Sequence, residues 1–210
     1  MISKLIKEKG ILANLLEKGV KILVKNQCKK TGEIKIDIIA DSIQIIKGII
    51  PKIYLIAKDI NYKDLLFDEI ELEANDVKVI FEIKNKKLNF NNNFIIKFKI
   101  SLSDNSLKAV LLSKNWNWIW DRISKEILNQ DKLEDIKIKD GHLLIKALKD
   151  NRYLDEVENV EIKAKDGSLY LENKAYNKSI KIPIEDKIYI KDVYIKNNLI
   201  NIFAKSTISF

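Results

Sequence analysis

A chain of 210 residues is well within what one β-rich domain can occupy. Apolar residues make up 46% and charged residues 32%, enough for a real core and too little charge bias for wholesale disorder. The net charge of +8 rests on 36 Lys against two Arg (Arg122 and Arg152), beside 38 Ile and 20 Asn, a bias expected of an AT-rich genome; without arginine forks for bases and phosphates it speaks against a nucleic-acid partner.

Residues 1–27 have the pattern of a helix. Leu5, Leu12, Leu16, Val20 and Leu23 share one face at about 100° per residue, and Lys4, Lys7, Lys18, Lys21 and Lys25 collect opposite. Residues 1–30 hold eight Lys against Glu8 and Glu17, so most of the chain's excess charge sits here. Gly10 and Gly19 each weaken the helix by up to about 1 kcal/mol relative to Ala, which predicts fraying or a late start. Two readings of this basic amphipathic helix stay open. Its apolar stripe lies on the core with Lys in water, or it docks on anionic headgroups through Lys4, Lys7, Lys18 and Lys21. The N-terminus lacks the continuous apolar core and small-residue cleavage site of a signal peptide, and no apolar run approaches the roughly 18 residues of a membrane span. The expectation is a cytoplasmic protein, peripheral on a membrane if it meets one.

From Gly32 the period changes to two, the signature of strands with one buried face. Ile34/Ile36/Ile38, Ile53/Leu55/Ala57, Ile70/Leu72/Ala74, Val77/Val79/Phe81/Ile83 and Phe94/Ile96/Phe98/Ile100/Leu102 follow in turn, predicting antiparallel strands over 32–103. Turn chemistry separates them near Gly48 and Pro51, at Asn75-Asp76 and at Asn91-Asn92-Asn93.

Ser106–Asn129 breaks this period and predicts one long helix over 106–129, capped by Ser103 or Asp104. Leu112, Trp116, Ile119, Trp120, Ile123 and Ile127 form its apolar stripe. Trp116 and Trp120 share the inward face, which leaves Trp118 near solvent, where indole suits an interface apolar at one end and wet at the other. Over 135–210 the two-residue period returns, with hairpin turns at Asp166-Gly167 and Asn197-Asn198 and a loop over Asp150–Asn159. The whole, 1–210, reads as a single α+β domain with a helix laid against antiparallel sheet.

Residues for chemistry are scarce. His142 sits in Asp140-Gly141-His142, a turn into a strand, and Cys28 ends the first helix, where the negative end of the helix dipole raises a thiol pKa. One His and one Cys leave the usual zinc sites out of reach, and six scattered Gly form no phosphate-cradling loop. Asp68, Glu69, Glu71 and Glu73 belong to the solvated face of a sheet. The expectation is a non-enzyme without metal or cofactor.

Lys25-Asn26-Gln27-Cys28, the Gly32–Asp41 and Gly48–Ala57 strands, and the run from Ile60 to Leu72 together resemble the LmeA-like phospholipid-binding family, domain of unknown function 2993; Asn115–Ile127 resembles the Trp-containing helix of its cyanobacterial branch. The likeness covers roughly residues 20–130. It implies a half-tubular fold in which a curved antiparallel sheet wraps a long helix and acyl chains enter between them. The partner it implies is a phospholipid or glycolipid, with an anionic membrane surface reached through the first helix. The competing expectation is a structural or assembly protein whose basic N-terminal helix binds an acidic protein partner.

Overall fold

The computed structural model describes residues 10–82, 87–130, 132–149 and 152–209. Among them, strands β1 (Ile34–Ile39), β2 (Ile49–Tyr62), β3 (Leu65–Glu82), β4 (Lys87–Phe90), β5 (Phe94–Leu102), β11 (Ile188–Lys196) and β12 (Leu199–Ile208) form one antiparallel sheet. Its order is β1-β2-β3-β5-β12-β11, with β4 paired on β3. A second antiparallel sheet has the order β10-β9-β8-β7-β6, from β6 (Lys132–Lys139), β7 (His142–Lys149), β8 (Arg152–Lys165), β9 (Ser168–Asn173) and β10 (Lys178–Lys181). The helices are α1 (Ile11–Gln27), α2 (Ser42–Ile46), α3 (Asp104–Leu112) and α4 (Asn117–Ile123), the last running into a π-helical turn over Ser124–Leu128. The expected N-terminal helix and antiparallel strands are both present, and neither sheet closes into a barrel.

Four hairpins turn through pairs with both φ angles positive: Lys63-Asp64, Asp140-Gly141, Asp166-Gly167 and Asn197-Asn198. That geometry matches the right-handed twist of the strands it joins, and Asp, Asn and Gly tolerate it best. The largest core lies between the two sheets. Ile190, Ile200 and Ile202 of the first meet Leu143, Ile145 and Val160 of the second, and Leu107, Trp120, Ile123 and Ile127 pack into the same cluster. The backbone N–H of Ile190 donates to Gly167 O at 2.8 Å, which ties β11 to the β8–β9 turn.

Strands β2 and β3 are long, and the two-residue alternation of each is interrupted twice. Facing pairs are Ile60↔Phe67, Ala57↔Ile70, Leu55↔Leu72, Ile53↔Ala74 and Ile50↔Val77. The step between inward residues is therefore two except from Ala57 to Ile60 and from Ile50 to Ile53, where it is three, and likewise on β3. Each facing pair of irregular steps holds one aspartate in the left-handed region, Asp59 (φ 52°) on β2 and Asp76 (φ 54°) on β3. A left-handed residue flips the pleat, so the apolar side chains stay on one face across a bend, as a bulge does. Pro51, which has no N–H to give a ladder, lies opposite Asp76. Asn75-Asp76 is thus a kink within one strand, not the turn between strands that its composition predicts.

Two further expectations are corrected. The helix predicted over 106–129 is interrupted: α3 ends at Leu112, which is 82% exposed, and α4 begins after Trp116. Polar side chains take up the intervening backbone and tie it to the β2–β3 turn. Asn115 N–H donates to Ser113 Oγ at 3.2 Å, Asn115 Nδ2 donates to Asp64 at 2.6 Å, and Trp116 Nε1 donates to Lys63 O at 2.7 Å. Ser and Asn that can satisfy a turn locally compete with the helix ladder. Trp116 is accordingly half-buried at the head of α4, not in its apolar stripe. The loop expected over Asp150–Asn159 is, from Arg152 onward, part of β8; Asp150 and Asn151 lie outside the described residues.

Trp120 is buried and Trp118 is 45% exposed, as their spacing predicts. Trp120→Ala should therefore lose about 3–5 kcal/mol in urea denaturation, as large core truncations do. Trp118→Ala should stay within about 0.5 kcal/mol. A larger loss at Trp118 than at Trp120 would contradict this packing.

Candidate functional site

Helix α1 lies along β1. Ala13, Leu16, Val20 and Val24 turn toward the sheet, with Leu16 and Val20 joining Ile38, Ile50 and Val77 in one cluster and Val24 and Cys28 joining Ile34 and Leu55 in another. Glu17 accepts a hydrogen bond from the edge N–H of Ile38 at 2.9 Å. The buried stripe is rotated from the one expected, because Leu23 faces water.

The opposite face of α1 is not uniformly polar. Ile11, Leu15, Lys18, Ile22 and Lys25 recur at spacings of four, three, four and three, so they form a single outward stripe. Ile11 is 80% exposed, Leu15 57% and Ile22 58%. Lys21 flanks this stripe and is exposed, like Lys18 and Lys25. The N-terminal end of α1 sits against α2, where Gly10 approaches Ser42 so closely that a Cβ would stand 2.7 Å from its Oγ. Helix α2 begins in a reciprocal cap, Asp41 accepting from Gln44 N–H and Gln44 from Asp41 N–H, and buries Ile45 while Ile43 and Ile46 point to solvent.

Between α1 on one side and the second sheet on the other, the apolar face of β3 and β5 is incompletely covered. Ile70, Leu72, Ile96, Phe98 and Ile100 are only partly buried, though β2 and β12 beside them carry buried Leu55, Ala57, Ile200 and Ala204. The other face of these strands carries charge in cross-strand ladders. Glu73 faces Lys52 at 3.5 Å and Lys97 at 3.8 Å, Lys58 faces Glu69 at 3.7 Å, and Lys99 meets Glu71 at 2.6 Å. The Asn75 amide, then the two lysines, hold the Glu73 carboxyl below its ordinary range against the opposing effect of desolvation. The hydrogen bond to Glu71 holds the Lys99 ammonium above its own.

Of the residues singled out from sequence, Lys18 and Lys21 lie on the outward side of α1, and Lys4 and Lys7 lie outside the described residues. Trp118 is on α4, which packs on α3, β6 and the π-turn, whereas α1 packs on β1 and α2, so the two are not one surface. His142 is exposed at the start of β7 with Nδ1 2.9 Å from Asp140 O, and partial burial pushes the Cys28 thiol up. Among the described residues no three His, Cys, Asp or Glu gather as a metal-binding group, and no helix is long and apolar enough to cross a membrane. The outward isoleucines of α1 and α2 escaped the sequence reading because Leu12, Leu16 and Val20 account for one apolar face. The signal for the second stripe is the helical spacing of Ile11, Leu15 and Ile22 among the lysines of the opposite face. No protein-family model, curated protein or solved structure matches the chain.

If α1 is held by its inner face alone, Leu16→Ala should lose about 2–5 kcal/mol of stability. Ile22→Ser should change it by less than about 0.5 kcal/mol. A Cβ at Gly19 would meet nothing within 4 Å, so Gly19→Ala should stabilise by up to about 1 kcal/mol. Thermal melts of the three variants check the order.

Proposed function

We propose that this is a non-enzymatic peripheral membrane protein that rests on an anionic lipid surface through the outward face of α1 and the exposed isoleucines of α2, and holds acyl chain along the partly covered face of β3 and β5. The observation that carries the reading is the outward stripe of α1, in which Ile11, Leu15 and Ile22 alternate with Lys18 and Lys25 on a helix whose other face already serves the core. A helix of this kind lies in the headgroup plane, apolar side chains entering the acyl boundary and lysines meeting the phosphates. Full burial of an Ile or Leu side chain contributes about 1.5–3 kcal/mol, so five such residues contribute on the order of 7–15 kcal/mol at most before ordering costs. Each Lys at an anionic surface adds about 1 kcal/mol.

The uncovered strip suits a second role. Every methylene that leaves water against Ile70, Leu72, Ile96 or Phe98 contributes about 0.8 kcal/mol. The bends at Asp59 and Asp76 turn the same apolar face inward along the whole of β2 and β3, which accords with the half-tubular sheet implied by the resemblance to the LmeA-like family. An interrupted helix takes the place of the continuous one in that picture.

Flotation with vesicles containing phosphatidylglycerol tests the reading. The Lys18→Gln, Lys21→Gln, Lys25→Gln triple variant should bind on the order of 100-fold more weakly at low salt. Ile11→Ser, Leu15→Ser, Ile22→Ser should abolish flotation at any salt while leaving the melting temperature nearly unchanged. Native mass spectrometry should recover phospholipid or glycolipid with the wild-type chain. Flotation unaffected by either triple variant would sink the proposal, and loss of an acidic protein partner in its place would assign the same face to protein assembly.

A further inference from the structure

The register of the first sheet places Lys58, Glu69, Ser101, Asn201 and Tyr194 in one straight row across β2, β3, β5, β12 and β11, on the face opposite α1. Strands lie about 4.8 Å apart, so the row is roughly 19 Å long. Long side chains stand at its ends and short ones at its centre. The result is a cleft of about 470 Å³ with buried Ser101 and Asn201 as its floor, Lys99 behind and Lys196, Asn197 and Leu199 in front.

The polar groups of the cleft are not equally committed. Asp68 already accepts from Ser103 N–H at 2.6 Å, Ser103 Oγ at 2.8 Å and Ser106 Oγ at 2.7 Å, and Glu69 faces Lys58. Ser101 Oγ donates to Asn201 Oδ1 at 3.1 Å, and Asn201 Nδ2 spends one of its two hydrogens on Leu199 O at 3.1 Å. Three donors of the cleft remain unspent among the described residues: the Lys196 ammonium, which has no ion-pair partner, the Tyr194 hydroxyl, which has no hydrogen-bond partner, and the second hydrogen of Asn201 Nδ2. The aromatic ring of Tyr194 is fixed by stacking on Phe203 at 5.5 Å.

We propose that this cleft binds a small phosphate-bearing anion. Asp68 is saturated, Glu69 is paired with Lys58 and Lys99 with Glu71, whereas three donors are free at the β11–β12 end of the cleft, so the complementary ligand for that end brings oxygens and negative charge. A phosphate has enough diverging oxygens to accept from an ammonium, a phenol and an amide that project from different positions of the row, whereas a carboxylate has two. Lys serves as the point-charge partner of such a group. Two sources carry this chemistry, a soluble phosphomonoester and a lipid headgroup, and the site lies on the face away from α1.

Amide-resolved NMR of the full chain, titrated with glycerol 3-phosphate at fixed ionic strength with chloride and glucose as controls, tests the assignment. Saturable shifts should be confined to Ser101, Tyr194, Lys196, Asn197 and Asn201. Lys196→Gln should weaken binding about tenfold and Lys196→Arg should restore most of it, with a smaller loss for Tyr194→Phe. Both side chains are exposed, so the variants should fold as wild type does. If vesicles of phosphatidic acid perturb the same amides and glycerol 3-phosphate competes them away, the source is a headgroup; if only the free compound does so, it is a soluble phosphomonoester. Shifts equal to those with chloride, saturation by glucose instead, or an affinity indifferent to Lys196→Gln would overturn the site.

Discussion

Two left-handed aspartates within the strands of the β2–β3 hairpin, Asp59 and Asp76, govern the arrangement of the rest. With a strict period of two, the inward residues of a 14-residue strand and its 18-residue partner could not all face one core as the sheet bends. At Asp59 the pair Asp59 and Asp68 drops out of the register, and Asp68 is freed to bind Ser103 and Ser106. Ser103 is the N-cap of α3, so the bend in one hairpin sets where the next helix starts. One residue on, Asp104 accepts from the edge N–H of Ile138 in β6 at 2.7 Å. A local flip in β2 is thereby transmitted, through three side chains, to the seat of the second sheet.

Two free edges that meet a helix, those of β1 and β6, are treated in the same manner. Glu17 of α1 takes the N–H of Ile38 on β1, and Asp104 of α3 takes that of Ile138 on β6. An exposed ladder is a template for pairing with another chain, and a helix laid along it with a carboxylate aimed at an edge amide removes that hazard. This has a bearing on α1. Its inner face and Glu17 are sufficient to hold it on the sheet, so Ile11, Leu15 and Ile22 contribute little to folding.

The parts of this architecture that sequence makes legible are those with short-range causes. Alternation at Ile34/Ile36/Ile38 and Phe94–Leu102, the Asp166-Gly167 and Asn197-Asn198 turns, and the helix over Ile11–Gln27 each depend on neighbours a few residues away. Asn75-Asp76 misleads because a turn pair and a strand kink demand the same left-handed tolerance. The break at Ser113–Trp116 misleads for a different reason, since Asp64 and Lys63, some 50 residues earlier, hold it open. The cleft row was beyond reach of sequence altogether. Lys58 and Tyr194 are brought into one row only through four successive registers, and a slip of one residue in any of them would point the row to the other face.

A chain with 38 isoleucines places some of them on its surface by composition alone, and single exposed apolar residues need no explanation. The stripe on α1 differs in arrangement. Its apolar members share one line with Lys18 and Lys25, and the neighbouring α2 adds Ile43 and Ile46 at the same end of the helix. Scatter from base composition has no reason to keep helical phase on the face turned away from the core. Nor does solubility favour it, because clustered exposed isoleucine promotes association unless something covers it. Lysines interleaved with the isoleucines discourage self-association through like-charge repulsion and at the same time favour a surface that is apolar within and negative at its boundary. A membrane leaflet has that layering, and a second copy of this basic helix does not.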